Sequence, residues 1–148
     1  MEPTMNPLAT IGYETDTQGG MIDRLKAAGV ELVVDVRAVA SSRKAGFSKT
    51  LLGNSLQAQG VGYLHLRPLG TPKAGRDAAR AGRTDEMREI FTSHLQEPDA
   101  QLALAQATQL ARDKRIALLC YENDPACCHR RIVADRIRQA LKCEVVDL

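Results

Sequence analysis

Ile116-Ala-Leu-Leu-Cys120-Tyr-Glu122-Asn-Asp-Pro-Ala-Cys127-Cys128-His129-Arg130-Arg131 reads as a buried strand, a tight loop and the start of a helix. The junction gathers thiols, a carboxylate, a histidine and two arginines within a few positions. Arginine is a poor residue for a first helical turn, where unpaired N–H groups already carry partial positive charge. Arg130 and Arg131 fit there if an anion sits beside them, either a ligand or a protein carboxylate. The stretch therefore marks a site and supplies one β–loop–α unit of the fold.

The same alternation runs through the rest of the chain. Leu8 to Tyr13 is a predicted first strand. Thr17 to Ala28 follows as a helix with Met21, Ile22, Leu25 and Ala28 on one side and Gly29 as its stop. Glu31 to Val36 is a β-branched second strand. Ser48 caps a helix carrying Leu51, Leu52 and Leu56 that ends at Gly60, and Val61 to Leu66 is a third strand. Thr84 caps a helix with Met87, Ile90, Phe91, His94 and Leu95 inward. Pro98 opens another that runs to about Arg112. Arg115 to Tyr121 is the fourth strand. The last helix runs from about Cys128 to Leu141 with Val133, Ala134, Ile137, Ala140 and Leu141 inward, and Glu144 to Leu148 closes as a fifth strand. Strands alternating with helices predict an α/β fold. The expected architecture is a single-domain, three-layer Rossmann-like sandwich over 8–148, with a mostly parallel sheet of about five strands covered on both faces. Residues 1–7 read as a flexible tail.

In a parallel sheet all strands end at one edge, and ligands bind outside it. The first strand ends in Tyr13 and Glu14, the second in Asp35 and Arg37, the third in His65 and Arg67, the fourth in Cys120, Tyr121 and Glu122. Glu14, Asp35 and Glu122 are the candidate proton carriers. Asp35, ending an apolar strand, must be paired, so it either works as a base or orients Arg37 or Arg43. Arg37, Ser42 and Arg43 supply forks and a hydroxyl suited to phosphate or carboxylate. Arg130 joins them as an anion holder, or else pairs with Asp35, Glu122 or Asp124. Cys128 and His129 complete the catalytic candidates: Cys128 sits beside His129 and Arg130 at a helix start, features that favour a thiolate, and His129 lies four residues before Val133, on the stripe that faces the crevice. Cys120, at the end of a buried strand, is of a type that is usually inert. Tyr13, His65, Cys120 and Tyr121 are expected to line the crevice. The loop from Leu69 to Arg83 reads as a cationic lid. Zinc is chemically possible through Cys120, Cys128, His129 and a carboxylate, but the spacing is not that of a finger or ribbon and no paired C-x-x-C is present, so no metal site is expected. No cofactor is named by the pattern.

The chain has 148 residues, 44% hydrophobic and 26% charged, which suits one soluble domain. Aromatics at 3%, with no Trp, argue against a stacking platform for single-stranded nucleic acid. No apolar run nears the roughly 20 residues of a membrane helix. The start lacks a secretory pattern, so the cytoplasm is the expected compartment and the cysteines are expected as thiols. The net charge of +2 is uneven. Arg37, Arg43, Lys44, Lys49, Arg67, Lys73, Arg76, Arg80 and Arg83 lie between Val36 and Thr84 with Asp77 as the single acid. Such a segment calls for an anionic partner.

Thr10-Ile-Gly-Tyr13-Glu14, Asp35-Val-Arg37, Ser42-Arg43, Leu69-Gly70 and Leu118-Leu-Cys120-Tyr-Glu122-x-Asp124-Pro125-x-x-Cys128-His129-Arg130 resemble the hallmark blocks of the domain of unknown function 488 family. They occur in order and cover nearly the whole chain. The resemblance implies a fold and a site without a settled reaction. Ala40 and Thr71 depart from the family's usual proline and glycine, which alters loop shape, and Cys127 falls at a position the pattern leaves open. The favoured expectation is an enzyme for a phosphorylated or nucleotide-like anionic small molecule. The alternatives are sulfur transfer or redox work by Cys128, and a non-catalytic nucleic-acid-binding module. Rhodanese- and phosphatase-type loops need an arginine six residues after the cysteine, where this chain has Ala126 or Ala134.

Overall fold

A computed structural model describes residues 5–148. In chain order it contains β1 (Leu8–Gly12), α1 (Gln18–Ala27), β2 (Leu32–Asp35), α2 (Lys49–Ala58), β3 (Gly62–His65), α3 (Lys73–Arg80), α4 (Thr84–His94), α5 (Pro98–Asp113), β4 (Ile116–Cys120), α6 (Arg130–Leu141) and β5 (Val145–Asp147). Single 3-10 turns occupy Arg67–Leu69 and Pro125–Cys127. The sheet has five strands, all parallel, in the order β3-β2-β4-β1-β5. This is the α/β Rossmann-like architecture the alternation predicts.

The pleat divides the core in two. Leu32, Val34, Val36, Leu118 and Cys120 face the layer of α3 to α6, with Met87, Phe91, Leu95, Val133 and Ile137. Ala9, Ile11, Val33, Ala117 and Leu119 face α1 and α2, with Met21, Leu25, Phe47, Leu52 and Leu56. The inward stripe of α5 is Ala100, Ala103, Ala107 and Ala111, small residues that let the helix backbone pack close.

Local chemistry explains most boundaries. The Thr17 hydroxyl accepts from the Gly20 N–H at the head of α1, and Gly29 follows its end at φ 72°. Other expectations are corrected. Ser48 precedes α2, but its hydroxyl is engaged with the Ser42 backbone instead of capping the helix. Leu51 is exposed, because only Leu52 and Leu56 share the sheet-facing stripe. Thr84 is the first residue of α4, and Arg83 occupies the cap position. Cys128 is not helical: α6 begins at Arg130 after His129, and Ala140 points outward. The segment expected as a cationic lid is largely the helix α3, lying between Pro72 and Gly82, whose φ is 79°.

Of the expected tail, residues 1–4 lie outside the described residues. Met5 is half-buried and packs on the core. Among the described residues no helix is long and apolar enough to cross a membrane.

Candidate functional site

β4 lies between β2 and β1, and the helix that follows it covers the face opposite to α1 and α2. A parallel sheet opens a crevice at such a point. Here a cavity of about 590 Å³ lies beyond the carboxyl end of β4.

Two close backbone approaches shape it. Gly12 pairs with Cys120 in register, and any Cβ on Gly12 would collide with the Glu122 carbonyl. Gly70 likewise lies against the Ala38 backbone, where a side chain would not fit. The loop after β4 is held by its own residues. Asp124 accepts from the Ala126 N–H at 2.9 Å, which sets the 3-10 turn. Arg130, 1% exposed, donates to the carbonyls of Glu122 and Asn123.

The cavity floor is Cys120, Glu122, Cys128 and His129. Cys120, Cys128 and His129 are buried, at 6%, 3% and 7% exposure. The His129 ring packs edge-on against Phe91 and its Nε2 lies 2.7 Å from the Val36 carbonyl oxygen. A carbonyl only accepts, so Nε2 carries a proton and Nδ1 is turned to the sulfurs. Nδ1 is 3.8 Å from Cys128 Sγ and 3.9 Å from Cys120 Sγ. Cys120 Sγ is 3.5 Å from Glu122 Oε2. The sulfurs and a ring nitrogen lie within 4.8 Å of one another, a donor set able to hold a metal.

The electrostatics of the cluster are divided. Burial opposes ionisation of Cys128, but the Cys120 hydrogen bond and the His129 and Arg130 charges outweigh it and hold this thiol well below its ordinary range. Cys120 is pushed the other way by its hydrogen bond to Cys128 and by burial. Burial lowers His129, yet the charge and hydrogen bond of Cys128 raise it overall. Burial first, then the Cys128 charge, raises Glu122.

The cavity wall includes Arg76 and Arg80 of α3, with Glu14 and the half-exposed Tyr121 also lining it. Arg76 donates to the Thr71 carbonyl and Arg80 pairs with Asp77 at 2.9 Å. In the sequence these two arginines belong to the segment expected as a cationic lid. The signal was present in the alanine- and arginine-rich run between Pro72 and Gly82, a composition that favours helix.

Other expected site residues are engaged within the fold or lie away from the cavity. Asp35 is fully buried on the α1–α2 side. Its carboxylate takes the Arg37 guanidinium at 2.7–3.0 Å and the Tyr63 hydroxyl at 2.5 Å. Arg37 borders the cavity, but its head group is spent on Asp35, the Tyr13 hydroxyl and the Phe47 carbonyl. Tyr13 is buried and stacked on Phe47. His65 contacts the Arg37 carbonyl and does not line the cavity. Ser42 and Arg43 lie in the loop before α2, where the Ser42 hydroxyl accepts from the Lys44 N–H, and neither borders the cavity. Arg130 is spent clasping the loop through the Glu122 and Asn123 carbonyls. Cys127 is exposed at the cavity, its thiol 3.6 Å from Asp124 Oδ2.

Residues 19–137 match the model of a family described as a domain of unknown function, DUF488. No curated protein and no solved structure matches the chain.

Proposed function

The chain belongs to the DUF488 family of domains of unknown function, and we propose that it is an enzyme acting on a phosphorylated or nucleotide-like anionic small molecule. The observation that carries the proposal is the shared cavity. Arg76 and Arg80 stand on its wall, and the Cys120, Glu122, Cys128 and His129 cluster forms its floor. Its volume, about 590 Å³, falls in the range of small-molecule sites. The arginines hold the anion, and the reacting part of the ligand reaches the buried cluster, where burial strengthens every charge interaction. Glu122 carries the proton, because it lies at the buried cluster, whereas Asp35 is spent within the fold and Glu14 is exposed and accepts from the Asn123 N–H.

A thermal-shift panel of phosphate, nucleotides, sugar phosphates and short nucleic acids tests the proposal. A bound anion at 100 times its Kd adds about 2.7 kcal/mol, a rise of roughly 5–10 °C. The rise is expected with one class of anionic small molecule and lost in an Arg76→Ala, Arg80→Ala double variant. A flat panel, or a shift that survives the double variant, overturns it.

A second reading, thiol catalysis, is supported by Cys128 Sγ lying 3.8 Å from a histidine ring nitrogen on the cavity floor. It requires Cys128 to be alkylated at neutral pH ahead of the exposed Cys127. Preferential labelling of Cys127 would count against it.

A further inference from the structure

We propose that Cys120, Cys128 and His129 bind one zinc ion, with a fourth coordination position open to the cavity. The proposal deepens the reading of the cavity as a reaction site and rests on it.

Donor chemistry is the first argument. Two sulfurs and an imidazole are soft and borderline ligands that select zinc over magnesium or calcium. The donors come from the end of β4 and from the entry to α6, positions that sequence spacing does not pair.

Geometry is the second. With Zn–S near 2.3 Å and Zn–N near 2.0–2.1 Å, a tetrahedral site has donor–donor edges of roughly 3.5–3.8 Å. The two S···N separations are 3.8 and 3.9 Å, and all three donors lie within 4.8 Å. The S···N separations are long for well-formed hydrogen bonds and a few tenths of an ångström above those of ligands around a common ion, so the cluster contracts on binding.

Outer support is the third. A metal-binding histidine ordinarily fixes its other nitrogen on a carbonyl or carboxylate. His129 Nε2 does this with Val36, and the ring is further held against Phe91. The lone pair of Nδ1 is thereby aimed at the sulfurs.

Three protein ligands with an open side match the catalytic type of zinc site, whose fourth position takes water or substrate. Glu122, 3.5 Å from Cys120 Sγ and also lining the cavity, is placed to accept a proton from a water in that position. Binding sends two protons to solvent, that of the Cys120 thiol and that shared between Cys128 and His129, and leaves both sulfurs as thiolate ligands beside an unprotonated Nδ1. Cys128 is then unavailable as a free nucleophile, so the metal excludes the thiol-catalysis reading. Cys127 takes no part.

The test is titration of chelator-stripped full-length protein with cobalt(II), then displacement by zinc(II). One equivalent of cobalt is expected to give intense visible bands of a tetrahedral site and a near-ultraviolet thiolate charge-transfer band, both erased by one equivalent of zinc. Cys128→Ser and His129→Ala are expected to weaken binding by about 100-fold or more, and Cys127→Ser to leave it unchanged. Because a ligand variant can fail to fold, the wild-type titration decides by itself. Absence of the charge-transfer band overturns the proposal, as does an unchanged band in folded Cys128→Ser. Repeating the anion panel with zinc-loaded protein separates the two claims. A cobalt signal without an anion shift sinks the substrate reading alone, and the reverse sinks the zinc site alone.

Discussion

His129 Nε2 lies 2.7 Å from the Val36 carbonyl oxygen, so the entry of α6 is tied to the end of β2, 93 positions away in sequence. The contact fixes one nitrogen and frees the other for the sulfurs. It also makes the ring a structural member of the layer between Phe91 and the sheet.

Replacing His129 with Ala strands the buried Val36 carbonyl and opens a void beside Phe91. Metal-free protein is expected to lose about 2–4 kcal/mol of stability. Urea unfolding in the presence of chelator measures this. A loss under about 1 kcal/mol would mean the carbonyl finds another partner and the ring is not held as described.

The Asp35–Arg37 pair is buried, with the closest contact at 2.7 Å. Asp35→Ala leaves the guanidinium without its counter-charge in the interior and is expected to cost about 3–5 kcal/mol. Folded protein, if recovered at low temperature, should keep its anion and cobalt responses. Loss of either response in a folded variant would place Asp35 in the site after all.

Tyr63 donates to Asp35, and burial followed by the Asp35 charge holds the phenol above its ordinary 10.0. A raised folded pKa favours the protonated form in the native state. Its contribution is whole below pH 10 and falls as the pH rises beyond it, because the unfolded chain ionises first. Tyr63→Phe is expected to lower stability by about 1.5–3 kcal/mol at neutral pH and to flatten the decline above pH 10. Equilibrium unfolding at pH 8 and pH 10.5 on both proteins supplies the comparison.

Gly12→Ala places a methyl group against the Glu122 carbonyl. The loop after β4 must move away, at a cost of about 1–3 kcal/mol. Cobalt affinity should fall with it, because Cys120 pairs with Gly12 in the sheet. An unchanged melting temperature would show that the loop gives way freely.

Arg130→Lys removes the fork that bridges the carbonyls of Glu122 and Asn123. Lysine keeps the charge but not the planar geometry. Arg130 acts through the loop and not on the ligand, so cobalt affinity is expected to drop by roughly 10-fold with the charge-transfer band unchanged in position. A shifted band would instead mean that a ligand has been exchanged.

Much of the fold was legible from short-range pattern. Met21, Ile22 and Leu25 announce α1, Leu32 to Val34 announce β2, and Gly29 stops the helix between them. These features rest on side-chain period and backbone conformation, which neighbours in sequence decide. The helix α3 leaves no such pattern, because Lys73 to Arg80 is charged and glycine-containing. Its inward residues are only Gly75 and Ala78, too small to register as an apolar stripe.

Sequence alone determined that the chain is a parallel α/β protein of the DUF488 family and that the residues ending its strands lie at one edge of the sheet. Every strand of such a sheet ends on the same side. Tertiary structure decided which of them share a site. Along β2 and β4 successive side chains point to opposite faces, so Asp35 turns toward α1 and α2 while Cys120 turns toward α6. One polar group became the internal Asp35–Arg37–Tyr63 network, and the other became the Cys120–Cys128–His129 cluster at the cavity. That division depends on strand order and on the Val36 carbonyl reached by His129, contacts between residues far apart in the chain that no local pattern encodes.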